Sequence, residues 1–267
     1  KKFLKMDKKK PLKVIKIGGN VIDDSQALAS FLTTFSSLKG PKILVHGGGK
    51  SATALAHQTG LEVQMIDGRR ITDAATLEFI TMVYAGKINK TIVAHLQALD
   101  CNALGFTGAD GNTISSEKRA VSTIDYGFVG DVKKVETSTL ELLLEQRIST
   151  VFCAITHDQN GQLLNTNADT IASELAIAFA PQFEVELYYC FEKKGVLKDV
   201  NDDASVIQTI TKASYKQLLS SQVIYAGMLP KLNNCFYALE HKVSKVCIGT
   251  PEMLLDAKAI FTTLTIQ

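Results

Sequence analysis

Short apolar runs alternate with segments of helical periodicity along most of the chain. Residues 12–17 and 42–45 are apolar runs of strand length, and each ends at glycines that precede helix-compatible sequence. Between them, residues 23–38 carry apolar side chains at helical spacing. Strands that alternate with helices in this way predict an α/β fold with an open, mainly parallel central sheet covered by helices on both faces.

The remaining elements follow from the same pattern. Further helices are predicted over residues 51–59, 73–100, 166–180 and 230–241 and from residue 138, and further strands over 61–66, 148–156, 184–190 and 243–248. Residues 103–135 contain short β runs between turn residues, which predicts β-hairpins attached to the edge of the sheet.

Composition and charge narrow the class of protein. The 267 residues are 46% hydrophobic and 21% charged, as in an ordinary globular enzyme. The chain has a net charge of +2, but residues 1–10 hold six Lys and one Asp, so the remaining residues together carry −3. This slightly acidic body argues against nucleic acid as a partner. Apolar runs stay below the ~18 residues of a membrane span. Five scattered cysteines without a CxxC pair predict reduced thiols in the cytoplasm.

The chain divides into a basic tail, residues 1–11, and a single domain, residues 12–267. Pro181 follows a predicted helix and marks the boundary between two lobes, residues 12–180 and residues 181–267.

Two glycine turns are the first candidates for chemistry. Gly18-Gly19 and Gly47–Gly49 each follow a strand and open a helix, an arrangement whose backbone N–H groups and helix dipole favour a bound anion. The second turn lacks the earlier glycine of a Walker A loop. It does match G-x-G-x-x-A, with Asp67 as a ribose partner, so a dinucleotide-dependent oxidoreductase stays open as an alternative.

Charged and amide side chains near predicted strand and helix ends form the second group of candidates. Lys16, near the end of a buried strand, needs an anionic partner such as a phosphate, because an unpaired buried charge is costly. Asn165, Asn167 and Asp169 precede or open a helix, where they could bind a polar ligand or simply cap the helix. Lys231 lies at a helix start, a position that a bound phosphate would favour.

Two further positions complete the candidates. Arg70, next to Arg69, follows a turn and is a candidate carboxylate clamp, since guanidinium binds carboxylate in a bidentate manner. His46, beside the glycines, is interpreted as a turn residue rather than an acid–base group.

Eight short motifs, taken in order, resemble the amino-acid kinase family and within it the acetylglutamate kinase branch. They are KIGG (16–19), VHGGG (45–49), GRRITD (68–73), GKINK (86–90), GFTGADG (105–111), GDV (130–132), NTNAD (165–169) and GMLPK (227–231). The resemblance covers the chain from residue 12, and it implies that residues 12–180 bind the amino-acid substrate and residues 181–267 the nucleotide. It implies a three-layer αβα sandwich and ATP-dependent phosphorylation, with Mg²⁺, of the side-chain carboxylate of N-acetyl-L-glutamate in arginine biosynthesis.

The resemblance also implies a role for each candidate residue. Lys16 and Lys231 would neutralise the transferred phosphoryl group, and Asp169 would hold both lysines. Gly18 and Gly19, with Lys231, would bind the nucleotide phosphates. The substrate would contact the residues Gly48, Gly49, Arg70, Asn165 and Asn167. Because a carboxylate is already ionised at neutral pH, the reaction needs no general base, and phosphates would supply most of the magnesium ligands.

The sequence departs from the family pattern at several positions, and these departures leave alternatives for the oligomeric state and the substrate. Residues 188–195, YYCFEKKG, replace a Thr/Asn/Asp-rich stretch near the adenine, and the N-terminal extension is short and basic, which predicts a homodimer rather than an arginine-inhibited hexamer. Arg69 adds positive charge, so N-succinyl-L-glutamate is an alternative substrate. A catalytically silent amino-acid sensor on the same fold is the third reading.

Overall fold

A computed structural model describes residues 9–66, 69–199, 201–220, 228–256 and 258–267. The predicted tail (1–11) lies mostly outside the described residues, as do Asp67, Gly68 and Gly227 of the predicted turn and motifs. The described part forms the predicted three-layer α/β architecture around an eight-stranded sheet with the strand order β12-β14-β13-β11-β1-β2-β8-β5. Every pairing in it is parallel except that of β13 with β14.

The strands of this sheet lie far apart in the sequence. They are β1 (Lys10–Ile17), β2 (Lys42–His46), β5 (Ala103–Phe106), β8 (Ser149–Phe152), β11 (Phe183–Cys190), β12 (Thr209–Thr211), β13 (Lys245–Gly249) and β14 (Thr262–Thr265). A four-stranded sheet has the order β10-β9-β6-β7, and β3 and β4 form a two-stranded ribbon. These strands are β3 (Met65–Ile66), β4 (Arg69–Arg70), β6 (Ile114–Lys118), β7 (Gly130–Val135), β9 (Ile155–His157) and β10 (Leu163–Asn165).

Helices connect the strands and cover the large sheet. They are α1 (Gly19–Asp23), α2 (Ser25–Ser37), α3 (Gly49–Gln58), α4 (Ala74–Thr81), α5 (Asn89–Ala98), α6 (Ser138–Glu145), α7 (Ala168–Phe179), α8 (Lys212–Ser220) and α9 (Leu229–Glu240). A π-helical segment, Met82–Ile88, joins α4 to α5, and short 3₁₀ helices occur at Asp110–Asn112 and Pro251–Leu254.

Strand β1 is central because its sequence can be buried on both faces. Leu12, Val14, Ile15 and Ile17 are all fully buried, between β11 on one side and β2 on the other. Pro11, which lacks an N–H donor, is accommodated because β2 pairs with β1 only from Lys13 onward. The strand therefore begins at Lys10, two residues before the predicted boundary at residue 12, and the large sheet contains strands from both sides of Pro181.

Helix α2 is fixed at both ends by side chains. Asp24 caps its N-terminus by accepting hydrogen bonds from the N–H groups of Gln26 and Ala27, at 2.8 and 3.0 Å. Beyond its C-terminal end, buried Lys42 donates to three backbone carbonyl oxygens, those of Phe35, Ser36 and Leu38, at 2.7–3.0 Å. A lysine in this position adds a donor at the end of the helix, where intrahelical donors for the carbonyl groups run out.

Several predicted elements were wrong in extent. The helix predicted over residues 23–38 is α2, which begins only at Ser25 because Asp24 leaves the helical conformation to cap it. The short helix α1, which ends at Asp23, was not predicted. Of the predicted strand 61–66 only Met65–Ile66 forms, paired with Arg69–Arg70. The predicted strand 148–156 is interrupted after Phe152, so that its two halves belong to different sheets. Residues 103–106, predicted as part of a hairpin, form a parallel edge strand of the large sheet.

Candidate active site

The two glycine turns lie side by side at one edge of the large sheet. Strands β1 and β2 are adjacent and parallel, with Ile17 opposite His46, so the turns that follow them are neighbours. Gly18 caps α1 and Gly48 caps α3, and neither helix has a side-chain cap. Ser51 N–H, in the first turn of α3, donates to the Asp23 carboxylate at 3.0 Å, which ties α3 to α1.

Only part of the first turn is free to bind an anion in this conformation. The Gly18 N–H donates to the carbonyl oxygen of Cys190, at the end of β11, at 2.9 Å. The predicted contact of Gly18 with a phosphate therefore requires this bond to be exchanged. Gly19 opens α1, and at a helix start the backbone N–H groups lack intrahelical acceptors, so the prediction for Gly19 is compatible with the geometry.

Lys16, Asp169 and Lys231 meet at this edge although they lie far apart in the sequence. Lys231 Nζ donates to Asp169 Oδ2 at 2.7 Å. Lys16 Nζ forms an ion pair with Asp169 Oδ1 at 2.7 Å. The three side chains are only 13–17% exposed. One carboxylate thus holds two ammonium groups at the carboxyl end of β1, in the geometry that the resemblance implies.

Charge and burial compete in this cluster. Burial alone would raise the pKa of Asp169, but attraction to Lys16 and Lys231 prevails and holds that pKa well below its ordinary value. For Lys16, burial lowers the pKa more than attraction to Asp169 raises it, and repulsion from Lys231 acts in the same direction as burial. Two positive charges against one negative charge leave the cluster with an excess of positive charge, which suits an anionic ligand.

Tyr189 supports the cluster from β11. Its hydroxyl donates to the backbone carbonyl of Asp169 at 3.0 Å, and Lys231 Nζ lies 5.1 Å from the centre of its ring. The side chain is almost completely buried, and burial raises the pKa of its hydroxyl. In the sequence, Tyr189 stands out only as a departure from the family pattern. Its role in positioning Asp169 depends on a contact between residues 20 positions apart.

The predicted substrate residues occupy the neighbouring edge. Arg70 is buried, and its Nη2 donates to Thr53 Oγ1 of α3 at 2.8 Å. Asn165 Nδ2 donates to Thr72 Oγ1 at 2.9 Å. The Asn167 side chain accepts from the N–H groups of Asp169 and Thr170 and is therefore the cap of α7. The capping interpretation of Asn167 accounts for its side-chain oxygen, whereas the predicted contact of Asn167 with a substrate stays a prediction.

His46 and Asn89 form a buried polar link that the sequence did not reveal. His46 Nδ1 lies 2.8 Å from the Gly47 carbonyl oxygen, and Asn89 Nδ2 lies 3.0 Å from His46 Nε2 and 2.9 Å from the Val151 carbonyl oxygen. A neutral imidazole protonated on Nδ1 satisfies both contacts, since Nε2 then accepts from the amide. Burial lowers the pKa of His46 to about 4, which agrees with a structural rather than an acid–base role.

Comparison with known proteins identifies the family of the chain. Residues 11–250 match the model of the family described as "Amino acid kinase family". The chain belongs to the amino acid kinase family. The acetylglutamate kinase of Cytophaga hutchinsonii is 57% identical over 246 residues, which cover 92% of this chain and 93% of that protein. The family predicted from the eight motifs is therefore confirmed.

Two solved structures of similar fold extend the comparison. The protein smu.665 of Streptococcus mutans has a TM-score of 0.79 and 24% identity, with 96% of this chain and 99% of that chain covered. Carbamate kinase from Giardia lamblia bound to AMP-PNP has a TM-score of 0.68 and 13% identity, with 98% and 99% covered. At these identities the likeness concerns the amino acid kinase fold alone, and it confirms the predicted fold class.

Proposed function

We propose that this amino acid kinase phosphorylates the side-chain carboxylate of N-acetyl-L-glutamate with ATP, giving an acyl phosphate in arginine biosynthesis. The observation that carries the proposal is the Lys16–Asp169–Lys231 cluster at the carboxyl ends of the central strands. The relative from Cytophaga hutchinsonii, an acetylglutamate kinase, supports the choice of substrate.

The cluster suits the chemistry of phosphoryl transfer. An acceptor carboxylate is ionised at neutral pH, so the enzyme has to align two anions and neutralise the charge that develops between them. Lys16 and Lys231 supply positive charge from two sides. Asp169 pairs with both ammonium groups and so keeps them less mobile than the side chains of unpaired lysines. The absence of a general base among these three residues is therefore no obstacle to the reaction.

The remaining residues fit the two ends of the reaction. On the nucleotide side, the Gly19 end of α1 and Lys231 would contact the phosphates, with Gly18 joining them if it releases Cys190. On the acceptor side, Arg70 and Asn165 would bind the α-carboxylate and the acylamino group, and the Gly48-Gly49 turn would donate N–H groups. Asn167 would act mainly by capping the helix that presents Asp169.

Magnesium would enter with the nucleotide. Among the residues that the structure describes, no group of three or more His, Cys, Asp or Glu side chains could hold a metal ion. Asp169, the carboxylate at the centre of the site, is already paired with two lysines. The donor set thus fits an ion held chiefly by ATP phosphates, where it would neutralise phosphate charge.

The roles of the two lobes, the oligomeric state and the cellular compartment complete the proposal. Residues 12–180 would bind the amino-acid substrate and residues 181–267 the nucleotide, with closure of the two parts during turnover. A homodimer in the cytoplasm is proposed, and the five cysteines, all free and buried, suit a reducing compartment. No helix in the described ranges is long and apolar enough to cross a membrane.

The alternatives differ in how well they explain the site. N-succinyl-L-glutamate was suggested by the charge of Arg69, but Arg69 is exposed and Arg70 is buried, so the two side chains do not face one ligand together. A dinucleotide-dependent oxidoreductase does not account for the two lysines on Asp169, and its proposed ribose partner, Asp67, lies outside the described residues. A silent sensor would not need the cluster.

The test is an acyl phosphate assay with Mg-ATP and hydroxylamine, which traps the product as a hydroxamate. N-acetyl-L-glutamate, N-succinyl-L-glutamate and L-aspartate are compared. We expect hydroxamate from N-acetyl-L-glutamate and at least a 10³-fold loss in Lys16→Ala, since that lysine supplies transition-state charge. Lys13→Ala, on the same strand but paired with Glu186 at 3.4 Å, is the matched control. No hydroxamate from any acylglutamate would refute the proposal.

A further inference from the structure

A π-helical segment interrupts the long helix that runs from α4 into α5. It spans Met82–Ile88, and the residues on both sides of it are α-helical. Such segments are rare and occur often at functional sites, because they change which side chains face inward. Within this segment Tyr84 is buried, with 6% of its surface exposed, although it lies on a helix whose other residues include exposed Met82 and Gly86.

The ring of Tyr84 lies directly on the glycine turn. A Cβ atom added to Gly48 would stand 1.6 Å from Cε1 of Tyr84 and 2.2 Å from its Cδ1. The ring therefore occupies the space in which residue 48 would otherwise place a side chain. At the preceding Gly47, by contrast, an added Cβ would meet only Ala168 Cβ, at 3.8 Å. The glycine at position 48 is thus required by Tyr84 rather than by the turn alone.

The other end of the same side chain reaches Arg70. Burial raises the pKa of the Tyr84 hydroxyl, and the nearby charge of Arg70 acts in the opposite direction. Arg70 is in turn fixed by Thr53 of α3 at 2.8 Å. A single aromatic side chain therefore extends from Gly48 to Arg70, the two places where the acceptor substrate would be held.

We propose that Tyr84 determines which acyl group this site accepts, because its ring fills the space beside Gly48 in the part of the site that would hold the acceptor. The inference rests on the proposed function, because Gly48 and Arg70 bind the acceptor only if that function holds. A chain longer than acetyl has to displace a ring that is packed against backbone. A pocket of this kind discriminates by roughly 10–200-fold for each methylene group.

The experiment compares kcat/KM for N-acetyl-, N-propionyl- and N-butyryl-L-glutamate in the wild type, Tyr84→Leu and Tyr84→Phe. We expect the wild type to prefer acetyl to butyryl at least 100-fold and Tyr84→Leu to reduce that ratio at least 10-fold. Tyr84→Phe keeps the ring and should therefore keep the ratio. KM for ATP should stay within 2-fold in both variants.

The ratio of two kcat/KM values does not depend on the fraction of enzyme that is folded, so a destabilised variant still gives an answer. Phe31→Leu, a buried aromatic residue of α2, is the matched control and should keep the wild-type ratio. If Tyr84→Leu does not fold, Tyr84→Met, whose flexible chain can vacate the pocket, is measured in its place.

The outcomes separate the inference from the function on which it rests. Turnover by the wild type with an unchanged acetyl-to-butyryl ratio in Tyr84→Leu would overturn the role of Tyr84 and leave the proposed function intact. A lowered ratio in Phe31→Leu as well would also overturn it, since the effect would then not be specific to this ring. No turnover of any acylglutamate by the wild type would refute both.

Discussion

Replacing Asp169 by Asn tests whether one carboxylate holds the active site together. The substitution keeps the shape of the side chain but removes the negative charge that lies 2.7 Å from both Lys16 Nζ and Lys231 Nζ. Two largely buried ammonium groups would then face each other without a counter-ion. Phosphoryl transfer should fall steeply, and the fold should also lose stability, which is the more discriminating readout.

The size of the stability loss follows from the burial of the three side chains. They are only 13–17% exposed, so solvent screens the interaction weakly. Removing one partner of a buried ion pair costs about 3–5 kcal/mol. For a chain of 267 residues that unfolds as one unit, this corresponds to a fall in Tm of roughly 5–9 °C.

The loss should depend on pH in a defined direction. The pKa of Asp169 is lowered in the fold, so its stabilisation is present above the unfolded pKa and is lost as the pH falls. Burial lowers the pKa of Lys16, and in the wild type the Asp169 carboxylate partly opposes this lowering. In Asp169→Asn that carboxylate is gone, so the pKa of Lys16 falls further. Lys16 can then shed its proton more readily as the pH rises. The Tm difference between wild type and variant should therefore shrink from pH 7 to pH 9.5.

Differential scanning calorimetry at pH 5, 7 and 9.5 measures this difference. Asp131→Asn is the matched control, because it removes a carboxylate from a more exposed ion pair with Arg119, and exposed pairs contribute only about 0–1 kcal/mol. Adding ATP without magnesium should recover more stability in Asp169→Asn than in the wild type, since its phosphates supply the missing negative charge. Equal Tm values for Asp169→Asn and Asp131→Asn, or a difference that grows with pH, would refute the reasoning.

Three further predictions concern other parts of the molecule. Lys42→Met removes a donor from three buried or part-buried carbonyl oxygens and should lower the free energy of unfolding by about 3 kcal/mol in urea titrations. Lys39→Met, at an exposed position, should change it by less than about 0.5 kcal/mol. Gly48→Ala places a Cβ 1.6 Å from an aromatic ring and should reduce kcat/KM for the acylglutamate about 100-fold, while Gly86→Ala, whose Cβ meets nothing within 4 Å, should leave it unchanged. Burial lowers the pKa of His46 to about 4, so the folded state resists protonation of this side chain, and the free energy of unfolding should fall by up to about 3 kcal/mol from pH 6.5 to pH 4. His46→Gln should remove this part of the acid sensitivity. An unchanged pH profile in that variant would contradict the assignment.

Much of the architecture could be predicted because it is local. Strand β1 is apolar on both faces, and the glycines after β1 and β2 end those strands and open helices, so alternating strands and helices are visible in the sequence. Boundaries that depend on one side chain are harder to predict. Asp24 looked like the first turn of a helix, but it leaves the helical conformation to cap α2.

The candidate residues could be named from the sequence because each is chemically conspicuous. A lysine at the end of a buried strand and an acid in the first turn of a helix are unusual enough to be singled out one at a time. Their grouping came from resemblance to a family, not from spacing. Asn167 was predicted either to bind a ligand or to cap a helix, because both use the same residue types, and only the structure shows that its side-chain oxygen caps α7.

The sequence by itself determined the order of strands and helices, the glycine turns and the types of charged residue at the site, because these depend on neighbours within a few positions. Only the tertiary structure decided which residues meet. Asp169 lies between Lys16 and Lys231 because parallel pairing of β1 with β11 brings α7 and α9 to the same edge of the sheet. Tyr84 reaches Gly48 because a π-helical segment turns it inward. Both contacts are long-range, and no short window of sequence contains the partners.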